Sequence, residues 1–590
     1  MLDPRIYRAG LVPALLAFIV GAFSIETAPR ALTTTLPPDS FSGPRAAAEL
    51  RDLAHRYPSR HPGGAGDDAL GGRVRSTLRG EGFRVHDLRF EGRTVLGERT
   101  LRDVVGVREG LSSRQIVVVA HRDALPRPAT ADLSGTAALL ELARVFNGRT
   151  LHKTLVLAST SGGSGGAAGA ARLAGDLSGG PVDAVLVLGD MAGRRERRPM
   201  VVPWSNDVGI APVQLRLTAD AAVALESGLQ AGQPGALSQF ARLAFPLTVG
   251  EQGELAAGGL PAILLSRSGE RGPGGATGVS ADRLGETGRA AVRSISALDA
   301  PGPAGQAPRA DVYVARKVVP GWAVRLVVGA LILPVLIAAI DGLARARRRR
   351  HPVGMWLAWV VAGAVPFAAA LAFAFLLRAI GLTPAMPPAA APPSALPLDA
   401  AALGALGAVV LALAVGWLAL RPVALHLASV RGDRSSPGAA AALALALVGV
   451  TVAVWAFNPF AAALLLPALH GWLLITAPEI RMRRPAALAV VALSLLPGAL
   501  VTIYYMLALG IGPLKLPWYA LTLAAGGQIG VPALIAWCLL LGCLVSVVGI
   551  VRARGPLGLG DEPVERPTIR GPLTYAGPGS LGGTESALRR

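Results

Sequence analysis

Cysteine is almost missing from this chain: two residues in 590, Cys538 and Cys543, both inside the last apolar run. No disulfide can staple anything upstream, and no thiol can act there as nucleophile or metal ligand. Acid is scarce too, with 38 Asp and Glu against 57 Lys and Arg, for a formal charge of +19. Two local gaps matter more. No Glu stands between Glu141 and Glu196, and no His between Lys153 and Arg350. The first stretch therefore supplies no glutamate base, and the second no imidazole for proton transfer or for a metal.

What is abundant is apolar residues, 52% of the chain, above the roughly 45–50% of ordinary soluble domains. They concentrate in eight runs, about residues 11–25, 322–340, 353–377, 401–420, 439–457, 459–477, 486–509 and 529–551. A bilayer core asks for roughly 20 such residues per helix. Basic clusters follow every second run: "RARRRRH" at 345–351, the stretch Arg421–Arg434, "RMRRP" at 481–485 and "VRARG" at 551–555. The intervening loops are nearly free of Lys and Arg. This alternation predicts a multi-pass protein of the cell membrane with both termini cytoplasmic and residues 31–318 extracytoplasmic. Much of the positive charge thus flanks membrane helices, which argues against nucleic acid as a partner and names the lipid bilayer as one. The first run, preceded by Arg5 and Arg8, reads as an anchor or as a cleaved signal, and either exports the domain C-terminal to it. The expected organisation is an anchor or signal at 1–30, an exported domain at 31–318, seven spans at 319–552, and a Gly- and Pro-rich disordered cytoplasmic tail at 553–590. The Ala-, Gly- and Arg-rich composition points to a bacterium of high GC content.

Within 31–318 the pattern alternates. Helical spacing marks 46–57 and 71–82, and "FRVHDLRF" alternates like a half-exposed strand. "QIVVVA", "TLVLAS", "DAVLVLGD" and "GLPAILLS" are continuous apolar runs of the kind found in strands buried on both faces. Strands separated by helices imply an α/β domain, a mostly parallel sheet with helices on both faces, joined to an α-helical transmembrane bundle. Ligands of such sheets sit beyond the carboxyl ends of the strands. That directs attention to the loops 121–132, 160–166, 190–198 and 267–282.

The run "LRDVVGV…QIVVVAHRDA…ADLSGTAALLELARVF…KTLVLAS…VLVLGDMAG…GLPAILL" resembles the M28 family of zinc peptidases over about residues 41–298. The resemblance implies a two-zinc exopeptidase site: His and carboxylate ligands, one bridging carboxylate, and a Glu base beside a metal-bound water. His121 matches the first ligand and Asp123 the carboxylate that orients it. The bridging Asp falls on Ala131, with Asp132 one residue late. The Glu–Glu pair falls on Gly163, at the base position, and Ser164. Asp190 matches a further carboxylate ligand. No histidine stands in the loop 267–282 that follows "PAILLS". His121, Asp132 and Asp190 remain as a residual three-ligand metal set, or as hydrogen-bonded parts of the loop framework. With base and two ligands missing, the expected cofactor is none, zinc being the alternative.

Three other signals stand apart. "GGSGG" fits the G-x-S-x-G pattern between a strand and a helix, which would make Ser164 a nucleophile with His121 as base. "GRRERRP" places Arg194, Arg195, Arg197 and Arg198 by the site's mouth, as an anion-binding rim or a solvated basic loop. His470 is the one ionisable group in mid-span, read as a helix–helix hydrogen bond before a proton relay. Residues 383–397, rich in Pro and Ala, read as an extended external loop. The layout is similar to that of the M28-like scaffolding subunit of GPI transamidase. The expectation is a catalytically inactive binding or scaffolding module for a peptide or protein partner, with an active zinc metallopeptidase of rearranged site and a Ser164 hydrolase as alternatives.

Overall fold

A computed structural model describes residues 4–554, apart from 126–128, 196–197, 233, 276, 303–305, 385, 478–479 and 481. The expected tail and Arg197 lie outside the described residues.

The apolar runs of the first half form a seven-stranded sheet. Its strands in chain order are β1 (Arg84–Thr94), β2 (Gly97–Arg108), β3 (Ser112–His121), β4 (Lys153–Thr160), β5 (Val182–Leu188), β6 (Met200–Val202) and β7 (Ala262–Ser266). Across the sheet the order is β1-β2-β4-β3-β5-β7-β6. The central four strands are parallel, and both edges are antiparallel, so only three of the six pairings are parallel. The expectation of a mostly parallel sheet holds for its centre. β1 and β2 form a hairpin in which β1, the edge strand, is polar and half-exposed, while β2 is buried over Asp103–Gly106.

Alternate residues of β3 face opposite sides. Ile116, Val118 and Ala120 join a core with the helices Gly43–Arg56, Ala65–Gly80, Ser134–Val145 and Ala281–Leu298. Val117 and Val119 join a second core with the helices Ala168–Leu177, Ala236–Ala244 and Glu251–Ala257. Val117, Val118 and Val119 are all fully buried, each contributing roughly 1.5–3 kcal/mol relative to exposure. A continuous apolar run is what a strand covered on both faces needs.

Among the described residues, eight helices are long and apolar enough to cross a membrane: Arg5–Phe23, Gly321–Arg348, Val353–Ala379, Ala400–Leu427, Pro437–Phe457, Pro459–Thr476, Arg484–Leu509 and Val531–Ala553. They coincide with the eight runs read from the sequence. An additional eleven-residue helix, Leu516–Gly526, lies between the last two and is too short to span. The fourth span carries a π-turn at Gly416–Leu420. There a Cβ on Gly416 would come within 2.7 Å of Pro366 Cα, so glycine permits the two helices to touch. His470 does what its position suggested. Its Nδ1 meets Tyr7 Oη of the first span at 2.7 Å, and its Nε2 meets the Leu331 carbonyl of the second at 3.0 Å.

The domain is seated on the bundle by polar contacts of long sequence separation. Asn458 caps the sixth span by accepting from the backbone N–H of Phe460 and Ala461, and its Nδ2 donates to the carbonyls of Leu243 and Ala244. Phe460 enters the second core of the sheet. Arg242, 3% exposed, is enclosed by the rings of Trp204, Tyr504 and Tyr505 at 4.9–5.4 Å and paired with Glu270. Its Nε also donates to Tyr504 Oη at 3.0 Å.

The Pro- and Ala-rich segment read as an extended external loop is buried over much of its length. Met386, Ala389, Ala390, Ala391 and Leu396 are at most 3% exposed. Ala389 N–H donates to the Gly166 carbonyl at 3.0 Å. Gln528 donates to the Pro387 carbonyl and Tyr519 to that of Ala391. Small side chains let this strap lie between domain and bundle, and its lack of charge is what burial requires.

Replacing Arg242 by Met leaves Glu270 buried without its cation. Unfolding of the full chain in micelles should then cost about 3–5 kcal/mol less than in the wild type, with Arg242→Lys between the two. An unchanged denaturation midpoint would mean that the seat does not depend on this pair.

Candidate active site region

β3 delivers His121 to the carboxyl edge of the sheet, and the next residues turn through three different fixings. Arg122, completely buried, pairs with Asp67 Oδ1 at 2.8 Å and donates from Nη1 to the Ser159 carbonyl at 2.9 Å. It ties the ends of β3 and β4 to the helix Ala65–Gly80. The Asp123 carboxylate accepts from the N–H groups of Gly163 (2.8 Å) and Ser164 (3.1 Å) and from the Ser164 hydroxyl. Ala124 N–H donates to the Arg60 carbonyl.

Asp123 was expected to orient His121. The partner of His121 is instead Glu251, from the first turn of the helix Glu251–Ala257: Nδ1 and Oε2 are 3.4 Å apart. Glu251 Oε1 also accepts from Thr160 Oγ1 at 2.6 Å. The reason lies at Gly163. A Cβ built there would stand 2.3 Å from His121 Cβ and 2.8 Å from Glu251 Oε1. The sheet edge has no room for a side chain at 163, and a carboxylate from a distant helix occupies the adjoining space. Burial pulls the His121 pKa down, but Glu251 beside it and the charges of Asp123 and Asp132 outweigh this and push it up to about 9.

Asp132 sits on the short turn Thr130–Leu133 and accepts from Ala129 N–H at 2.7 Å. Burial raises its pKa, opposed by His121 and Arg60. Arg60 is 2% exposed and lies in the field of both Asp132 and Asp123. Asp190 follows β5 and accepts from the N–H groups of Ala192 (3.1 Å) and Gly193 (2.7 Å). Burial raises its pKa, offset by those amides, Ser268 and Arg267. Arg267 takes up the position after β7, and its N–H donates to the Asp190 carbonyl at 2.7 Å.

Of the three residues read as a residual metal set, His121 pairs through Nδ1 with Glu251, Asp132 accepts from a backbone amide near Arg60, and Asp190 accepts from two backbone amides. Among the described residues, no group of three or more His, Cys, Asp or Glu is arranged to hold a metal ion. The residues present do not fit the two-zinc centre that the sequence resemblance implies. Ser164 is likewise directed to Asp123 and not to His121. Arg194, Arg195 and Arg198 are exposed, as a rim would be.

Sequence reading missed Glu251, Arg122 and Arg60. Arg122 had a signal, being the middle residue of a His-x-Asp run at the end of a buried strand. Glu251 had none, because nothing local ties it to His121, 130 positions away.

Residues 103–228 match the description Peptidase family M28. No curated protein matches the chain. Among solved structures, it is similar to a zinc aminopeptidase from Bacillus subtilis (11% identity, 43% of this chain and 94% of that one, TM-score 0.36). It is also similar to a glutaminyl cyclase from Porphyromonas gingivalis (19%, 44% and 98%, TM-score 0.36). A third is a leucine aminopeptidase precursor from Bacteroides thetaiotaomicron (14%, 45% and 99%, TM-score 0.35).

Behind the site lies Asp103 on β2, fully buried. One oxygen accepts from Ser161 N–H at 2.8 Å and the other has no partner. Burial pushes its pKa up to about 8. Between roughly pH 4 and 8 the folded chain holds a proton that the unfolded chain has released, so this group lowers stability as pH rises through that window. Asp103→Asn, which mimics the protonated form, should come nearest the wild type at about pH 4 and exceed it increasingly up to about pH 8 in denaturant unfolding. Parallel pH profiles for the two proteins would refute the assignment.

Proposed function

We propose that this chain, with its M28-like segment at 103–228, is a multi-pass membrane protein whose α/β domain binds or scaffolds a peptide or protein partner without zinc peptidase chemistry. The observation that carries this reading is the His121–Glu251 pair beside a glycine at 163. Hydrolysis by a metal-bound water needs a free imidazole nitrogen aimed at the metal, a set of open carboxylates and a positioned base. Here the carboxylates are taken up by backbone amides and lie near buried guanidinium groups, a closed set of hydrogen bonds that suits a framework. The orientation follows the basic clusters, with both termini cytoplasmic and residues 31–318 outside. The eight spans anchor the domain, and the strap and the Arg242 box hold it against the bundle.

Glu251 is also the observation that favours the second reading, a hydrolytic site rearranged around a carboxylate from another helix. Metal content separates the two. The full chain, purified in micelles, loaded with zinc and desalted, should retain far less than one zinc per chain, and His121→Ala should retain the same. About one zinc in the wild type, lost in His121→Ala, would replace the scaffold reading with the metallopeptidase one.

A further inference from the structure

The loops after β5 and β7 meet beyond the sheet's carboxyl edge. Gly193 bridges Val279, Arg194 N–H donates to the Gly278 carbonyl, and Arg283 Nη1 donates to the Gly193 carbonyl at 2.9 Å. Between them is a cleft of about 500 Å³ lined by Arg194, Arg195, Gly274, Gly275, Thr277 and Gly278. The arginine side chains lie along the loop, in contact range of its glycines. A Cβ at Gly278 would stand 3.6 Å from Arg194 Cδ, and one at Gly274 would stand 3.8 Å from Arg195 Nη1. Neither guanidinium has a carboxylate partner among the described residues, whereas Arg267 nearby pairs with Glu286.

The same loop starts at the bundle. Glu270 is held by Arg242 in its aromatic box. Arg271 lies over Gly510, the left-handed cap of the seventh span, with Nη1 2.9 Å from where a Cβ would be. The segment that lines the arginine cleft thus also touches the end of a helix long and apolar enough to cross a membrane.

We propose that this cleft binds a phosphate-type oxyanion, with Arg194 and Arg195 as charged donors and Thr277 as the neutral one. Guanidinium forks match tetrahedral oxyanions through paired charge-assisted bonds, and glycine-rich backbone lets an anion approach the amides. The anion reaches the cleft as free phosphate or as the headgroup of an anionic lipid, for which Arg271 extends the positive surface toward the span end. This does not depend on the metal status of the His121 region.

The full chain in zwitterionic micelles would be titrated with inorganic phosphate at constant ionic strength and, separately, with a short-chain phosphatidic acid, following the thermal midpoint. The midpoint should rise and saturate in the wild type. In Arg194→Gln/Arg195→Gln the half-saturating concentration should increase roughly tenfold or more. A response to both ligands means that phosphate alone suffices; a response to the lipid alone assigns a headgroup site. No saturating response to either, or equal responses in wild type and variant, overturns the proposal. Should the double variant melt early without ligand, Thr277→Val tests the same cleft with no change in charge, and an unaltered titration there counts against it.

Discussion

Compensation of buried carboxylates at the carboxyl edge of the sheet governs this domain. Asp67, Asp123, Asp132, Asp190 and Glu251 converge there, and an uncompensated carboxylate in a dry interior is costly. The balance comes from side chains and amides of the chain itself. Arg122 neutralises Asp67. The 163–164 amides cap Asp123. The 192–193 amides cap Asp190, His121 meets Glu251, and Arg60 adds positive potential between Asp123 and Asp132. The loops at this edge are shaped by the partners they bring.

The same constraint explains why domain and bundle are not merely tethered. Arg242 is a cation buried at their junction, tolerable because Glu270 and three ring faces surround it. From there a polar chain runs inward. Thr248 donates to Glu270 and accepts from Gln252, which neighbours Glu251. Val249 packs with Tyr505, Tyr519 and the strap. The helix that supplies the partner of His121 is thus set by contacts with the bundle, so the position of that carboxylate depends on the membrane half of the chain.

The cost of this arrangement is openness. The strap covers the Gly166 side of the site, where its proline would overlap any Cβ. The arginine cleft is lined by other loops, with Arg194 and Arg195 exposed.

Much of this was legible in the sequence, for a local reason. Period and apolar length marked β3, β4, β5 and β7 and all eight spans, because burial on two faces, on one face, or in lipid leaves three different patterns. The absence of Glu at 163 and of His after β7 was plain from the residues themselves. The partners of His121 and Asp123, the burial of residues 386–396 and the seat of Arg242 were not legible. Each rests on contacts between residues far apart in the chain, and no local pattern records which distant side chain fills the space a glycine leaves. Sequence by itself determined what chemistry could be supplied and which stretches are long and apolar enough to cross a membrane. Tertiary structure alone decided that Glu251 stands beside His121, because a buried charge takes whichever partner the packing brings within reach.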